Sequence, residues 1–136
     1  VMYAVYCNGA PKSQSRPRYS TRVARFEVDM ASGNYRRTAE LVVEQLHVDA
    51  CRFHRNKLYV AGESMLPGSR GGIYVFDVAD PGSITLEGIV GDFSFPHGVD
   101  IRFGLMAVAS YGSSDITITP FDPAVAVAPL PTAAGL

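Results

Sequence analysis

Apolar and polar positions alternate along this chain in short runs rather than at helical spacing. Ile73-Tyr74-Val75-Phe76-Asp77-Val78 and Ile116-Thr117-Ile118-Thr119 are rich in β-branched and aromatic residues, the composition that suits a pleated, half-buried strand. Between such runs stand turn formers. Ala79-Asp80-Pro81-Gly82-Ser83 places Pro and Gly at successive positions, and Ala31-Ser32-Gly33-Asn34 supplies residues that tolerate positive φ. The pattern predicts strands at 2–9, 22–29 and 35–43, then at 47–54, 57–63, 71–78 and 84–91, then at 98–103, 105–112 and 115–122, with a further one around Ala124–Ala128. One stretch admits a competing helix: residues 37–46, Arg37 to Leu46, contain good helix formers. The segment aligned with it, Ile84–Gly91, carries glycine and β-branched residues that oppose a helix, which favours strand for both.

Self-similarity sets the organisation. His47-Val48-Asp49-Ala50-Cys51-Arg52-Phe53 is echoed by His97-Gly98-Val99-Asp100-Ile101-Arg102-Phe103 at offsets of 50 or 51. Leu58-Tyr59-Val60-Ala61 is echoed by Met106-Ala107-Val108-Ala109 at 48, and Phe76-Asp77-Val78 by Phe121-Asp122-Pro123 at 45. Backwards, Tyr3-Ala4-Val5 answers Leu58-Tyr59-Val60, and Phe26-Glu27-Val28 answers Phe76-Asp77-Val78. Three copies result, at about 1–45, 46–94 and 95–136; the middle one has four strands, a to d, and the first lacks strand a. The expected fold is all-β: antiparallel four-stranded blades of a β-propeller, in an incomplete arc of about two and a half to three blades within one domain. Propellers close with about 4–8 blades, so the arc is expected to be a fragment or to need further blades of the same protein.

Composition narrows the function classes. The chain has 136 residues, 47% of them hydrophobic and 18% charged, with a net charge of -1, which permits a core and offers no chain-wide attraction to nucleic acid. Aromatic residues are scattered on strands instead of interleaved with Lys and Arg, so a nucleic-acid partner is not expected. No apolar run is long enough for a membrane-spanning helix. Charge is uneven: residues 1–37 hold seven basic side chains against two acids, and 38–136 hold five against eleven. The basic part includes a Pro- and Ser-containing stretch from Ala10 to Thr21 that reads as a long loop. Cys7 and Cys51 have no neighbouring ligand set and read as buried small hydrophobes, with neither a zinc site nor a disulfide framework signalled. Val1 opens the chain with no charged-then-apolar leader, so a signal peptide is expected to be absent or removed. A soluble protein in the periplasm, outside the cell or in the cytoplasm fits equally.

Phe53-His54-Arg55-Asn56-Lys57-Leu58-Tyr59-Val60-Ala61, followed by Gly71-Gly72-Ile73-Tyr74-Val75-Phe76-Asp77, resembles the repeat of YVTN-type and lactonase-like β-propellers. Phe95-Pro96-His97-Gly98-Val99-Asp100 is similar to a blade opening of that superfamily, and Tyr74-Val75-Phe76-Asp77-Val78-Ala79-Asp80-Pro81 to an LVIVD repeat. Phe103-Gly104 stands where a Pro-Asp-Gly turn is usual, which predicts a tighter hairpin. The resemblance implies an architecture more than an activity, because one fold hosts many functions.

In that architecture the d-to-a and b-to-c connections share the face that binds ligands. It would gather Asn8, Lys12, Arg16 and Arg18 from the first copy, His47, Glu63 and Arg70 from the second, and His97 and Tyr111 from the third. His97, between Pro96 and Gly98, is the acid–base candidate, with Glu63 beside it in role; Asn8, Arg16, Arg18, His47, Arg70 and Tyr111 are the binding candidates. Asp49 and Asp100 are expected at equivalent places. Two His and two Asp would suit a divalent ion, but no HxH or HxxxH spacing organises them, so no cofactor or metal ligand is assigned. His54 is expected on the opposite face. Gly68, Gly71 and Gly72 read as turn glycines, and no GxSxG elbow, P-loop or GxGxxG is present. The expected role is a scaffold binding a protein or small-molecule ligand. The alternative is a sugar-lactone hydrolase of the 6-phosphogluconolactonase or gluconolactonase kind, and a third reading is a quinone- or metal-dependent periplasmic propeller enzyme.

Overall fold

The computed structural model describes residues 1–8, 19–64 and 71–122. Ten strands follow in chain order: β1 Met2–Asn8, β2 Ser20–Val28, β3 Tyr35–Glu44, β4 Leu46–His54, β5 Lys57–Ser64, β6 Gly71–Asp77, β7 Thr85–Phe93, β8 Pro96–Arg102, β9 Leu105–Ser110 and β10 Asp115–Pro120. They form three antiparallel sheets, β1-β2-β3, β4-β5-β6-β7 and β8-β9-β10. This is the all-β, incomplete arc of three- and four-stranded sheets that the repeat predicts. The strand expected around Ala124–Ala128 lies outside the described residues. Among the described residues there is no helix, and so none long and apolar enough to cross a membrane.

The helix alternative over 37–46 fails for a cooperative reason. Along β3, Ala39, Leu41 and Val43 point into the core while Glu40, Val42 and Glu44 are more exposed, and all pair with β2. That is a period of two, which only a strand can bury on one side. Intrinsic propensity of a few tenths of a kcal/mol per residue cannot outweigh it.

Two apolar clusters hold the sheets together. Val23 and Ala39 of the first sheet pack with Leu58, Val60, Tyr74 and Phe76 of the middle one. Tyr59, Ala61, Ile73 and Val75, the alternate residues of the same two strands, pack with Ile101, Met106 and Val108 of the third. Polar ties reinforce the first junction: the Tyr3 hydroxyl donates to Val78 O at 3.3 Å, and buried Arg25, which also donates to Thr38 Oγ1 of its own sheet at 2.7 Å, donates to Pro81 O at 3.3 Å. The basic excess of the first copy is partly neutralised within its own sheet, where Glu40 meets Arg22 and Arg37 and Glu27 meets Arg36.

Cross-strand pairing corrects the register of the repeats. In the middle and third sheets the strand pairs match at an offset of 48 throughout: Phe53↔Leu58 corresponds to Ile101↔Met106, and Arg52↔Tyr59 to Asp100↔Ala107. Asp100 therefore stands where the middle sheet has Arg52, not Asp49, and the two ion-pair at 3.0 Å. On the next strand, Val78 N–H donates to Asn56 O at 3.0 Å and Phe121 N–H to Gly104 O at 2.8 Å, so Phe121 takes the place of Val78 rather than of Phe76. In the first sheet Met2 pairs with Phe26 as Leu58 pairs with Phe76, so Tyr3 corresponds to Tyr59. A one-residue slip moves every side chain to the other face, and Tyr3 indeed faces the middle sheet, stacked on Phe53 with ring centroids 5.5 Å apart.

Three smaller readings also change. Gly71 and Gly72 lie inside β6, not in a turn, and a Cβ on Gly71 would sit 2.4 Å from Phe93 O. Cys51 is exposed and Cys7 half-buried, so neither is a core hydrophobe. Thr21 and Ser20 belong to β2 instead of the expected loop.

The two equivalent hairpins, Arg55-Asn56 and Phe103-Gly104, have both turn residues in the left-handed region, at φ of 48° and 62° and of 53° and 73°. That is the two-residue turn whose twist matches the strands it joins, and it favours Asn-Gly. Phe103 is 98% exposed there, so it bears the left-handed conformation without packing to offset it. Phe103→Asn is expected to stabilise the protein by about 0.5–1 kcal/mol in urea titration. Phe76→Ala, which empties the first cluster, is expected to destabilise it by about 3–5 kcal/mol; a loss below about 1 kcal/mol would contradict the packing described.

Candidate functional site

The described residues place four of the candidates, His47, Glu63, His97 and Tyr111, at one end of the middle and third sheets. His47 lies near the start of β4 and pairs across to Glu63 near the end of β5. His97 lies at the start of β8, and Tyr111 follows the end of β9. Antiparallel pairing makes starts and ends of neighbouring strands coincide, which is why residues so far apart in sequence meet.

Two equivalent bulges aim the central pair. β4 pairs Val48 with Gly62 and Ala50 with Ala61, leaving Asp49 as the extra residue; β8 pairs Pro96 with Ser110 and Gly98 with Ala109, leaving His97 as the extra one. A bulged residue escapes the strict alternation of the strand and can point along the edge. Asp49 Oδ2 lies 3.5 Å from His97 Nε2 and 3.4 Å from His47 Nδ1, so one carboxylate touches imidazoles from two sheets. Both distances exceed a good hydrogen bond, and His47 Nδ1 is buried without a hydrogen-bond partner.

Aromatic rings and backbone contacts frame this group. Tyr111 stacks on His97 with centroids 5.3 Å apart and planes 14° from parallel. Its position is set by the β7–β8 connection, because Tyr111 N–H donates to Phe95 O at 2.9 Å and Gly112 N–H to Ser94 O at 3.0 Å. On the other side Tyr19 meets His47 edge-on at 5.1 Å, held by the Gln45 N–H to Tyr19 O bond of 2.6 Å. Tyr19 was not signalled by the repeat, since it lies before β2 with no counterpart in the other copies. Gly62 makes the close pairing of β4 and β5 feasible here: a Cβ on it would lie 2.5 Å from His47 O.

Burial holds the Glu63 carboxyl above the ordinary carboxylate range; His47 opposes this, Asp49 adds to it, and His97 opposes it. A carboxyl with a raised pKa beside two imidazoles and a second carboxylate can donate and accept protons and can hydrogen-bond a polar ligand.

Asn8 ends β1, paired with Ser20. Lys12, Arg16, Arg18 and Arg70 lie outside the described residues. Asp100 is held by Arg52 and by Arg102 at 2.9 Å and accepts the Ile101 N–H at 3.0 Å, so it is engaged elsewhere. His54 lies at the opposite end, against Tyr59 and Phe121. Among the described residues no group of three or more His, Cys, Asp or Glu is arranged to hold a metal ion. Compared with family models, curated proteins and solved structures, the chain matches none.

Two expectations follow from this geometry. Gly62→Ala is expected to displace the His47 carbonyl, destabilise the protein and broaden the His47 ring signals in NMR spectra; unchanged His47 signals would contradict the close approach. A carboxyl with a raised folded pKa costs stability once ionised, so its effect grows as pH climbs from the ordinary carboxylate value through the raised one, and levels off above it. Glu63→Gln is therefore expected to raise the urea midpoint at neutral pH and to lose that advantage below about pH 4. A Glu63→Gln protein less stable than the parent at pH 7 and equal at pH 4 would reverse the sign.

Proposed function

We propose that this chain is an arc of a YVTN/lactonase-like β-propeller and that the end carrying His47, Asp49, Glu63, His97 and Tyr111 binds a small polar ligand. The observation that carries the reading is the contact of Asp49 with His97 across two sheets, made by two bulge residues at equivalent positions. Structural strand ends do not need bulges that turn ionisable side chains towards one another, whereas ligand sites commonly use them. Arg16, Arg18 and Arg70 are proposed to serve the same face, further blades of the same protein to complete the ring, and a protein ligand is the competing occupant.

The position of Glu63 also favours a second reading, hydrolysis of a sugar lactone. In that reading the Glu63 carboxyl, its pKa raised by burial, protonates the leaving oxygen while His97 activates water for attack on the carbonyl. Both readings are tested together by titrating the chain with sugar acids, sugar lactones and phosphorylated sugars while following backbone amides and lactone turnover. Binding predicts shifts at His47, Glu63 and His97 without turnover, abolished by His97→Ala. Turnover that falls at least about tenfold in both His97→Ala and Glu63→Gln would establish the hydrolase. Shifts confined to other residues, or none with any compound, would overturn the small-ligand reading.

A further inference from the structure

The Arg-Phe pair of the repeat, Arg52-Phe53 and Arg102-Phe103, recurs at an offset of 50, whereas strand pairing aligns the two sheets at 48, so that His54↔Lys57 corresponds to Arg102↔Leu105. Arg102 therefore stands where the middle sheet has His54, two residues beyond Asp100, the equivalent of Arg52. Residues two apart on a strand share a face. The displacement puts Asp100 between two guanidiniums from different sheets: Arg52 Nε lies 3.0 Å from its Oδ1 and Arg102 Nε 2.9 Å from its Oδ2. The Ile101 N–H, donating to Oδ1 at 3.0 Å, fixes the carboxylate.

Hydrogen bonding sets this group apart from the arginines of the first sheet. There Glu40 also meets two arginines, Arg22 and Arg37, and Glu27 meets Arg25 and Arg36, and every one of those contacts is a hydrogen bond. Arg52 and Arg102 meet Asp100 as ions only: among the described residues neither donates a hydrogen bond. Their side chains are 41% and 62% exposed, so both forks of N–H donors are open to a ligand. We infer that these two arginines bind the phosphate group of a small molecule. Two positive charges against one carboxylate leave an excess that an anion offsets. A guanidinium fork matches the oxygens of a carboxylate or a phosphate in pairs. A carboxylate fills one such fork, whereas a phosphate, with oxygens on every side of phosphorus, serves two. Both arginines contact the same carboxylate, so their guanidiniums stand close enough for one phosphate to meet both. This site rests on the ion pairs and the register of β4 and β8, and is independent of what the His47–His97 end binds.

Side-chain NMR on the full chain tests this, with inorganic phosphate, methyl phosphate and acetate added in turn at constant ionic strength. Either phosphate is expected to shift the Nε–H signals of Arg52 and Arg102 to saturation with a single Kd, while those of Arg36 and Arg37, already bonded to glutamates, move little. Tighter binding of methyl phosphate identifies a phosphate ester as the ligand, and tighter binding of inorganic phosphate the free ion; both support the site. Arg102→Lys keeps the charge and loses the fork, and is expected to raise that Kd at least about fivefold. Shifts that do not saturate, or that are as large at Arg36 and Arg37, overturn the site, as does unchanged binding by Arg102→Lys. Acetate that binds as tightly as phosphate overturns the assignment to a phosphate group.

Discussion

The two central strands of the middle sheet, β5 and β6, have no face in water, and everything else depends on that. Along β6 the residues from Gly71 to Phe76 are all buried, and along β5 those from Leu58 to Gly62 are. Alternate side chains go to opposite neighbours: Leu58, Val60, Tyr74 and Phe76 to the first sheet, Tyr59, Ala61, Ile73 and Val75 to the third. An apolar sheet face must be buried against another element. Each flanking sheet is therefore stabilised by the surface that the middle one presents, and the two clusters, sharing two strands, are expected to fail together.

The same constraint creates the candidate site. Packed sheets bring their inner strands side by side, so β4 and β8 run close enough for Asp49 and His97 to meet. Apolar packing fixes the alternation of both strands except where the ladder is interrupted. One extra residue in each inner strand provides the interruption. Glu63 then sits beside a group that burial has partly removed from water, and its raised pKa follows from that placement.

Strand positions were legible because they depend on local patterns: β5 and β6 begin where the sequence places them. Register was not. The motif match of Val48-Asp49 to Val99-Asp100 follows residue identity, while pairing follows the bulges and the cross-strand partners, and it makes Asp49 the equivalent of His97. Gly71 and Gly72 look like turn residues in isolation, and only the nearness of Phe93 and Ile89 shows that they admit a close approach. At the site, His47, Glu63, His97 and Tyr111 could be grouped from topology alone, since strand ends of successive copies must coincide. The linking role of Asp49 and the presence of Tyr19 could not, because the first depends on a bulge and the second lies before β2 with no counterpart in the other copies.

Native-state hydrogen exchange tests the central role of the middle sheet most directly. The amides of β5 and β6 should be the slowest in the protein and share one opening free energy equal to that of global unfolding, while the amides of β1, an edge strand among the described residues, exchange through local fraying. Amides of β5 and β6 that exchange as fast as those of β1, or that split into two groups opening separately, would contradict a fold held by two central strands buried on both faces.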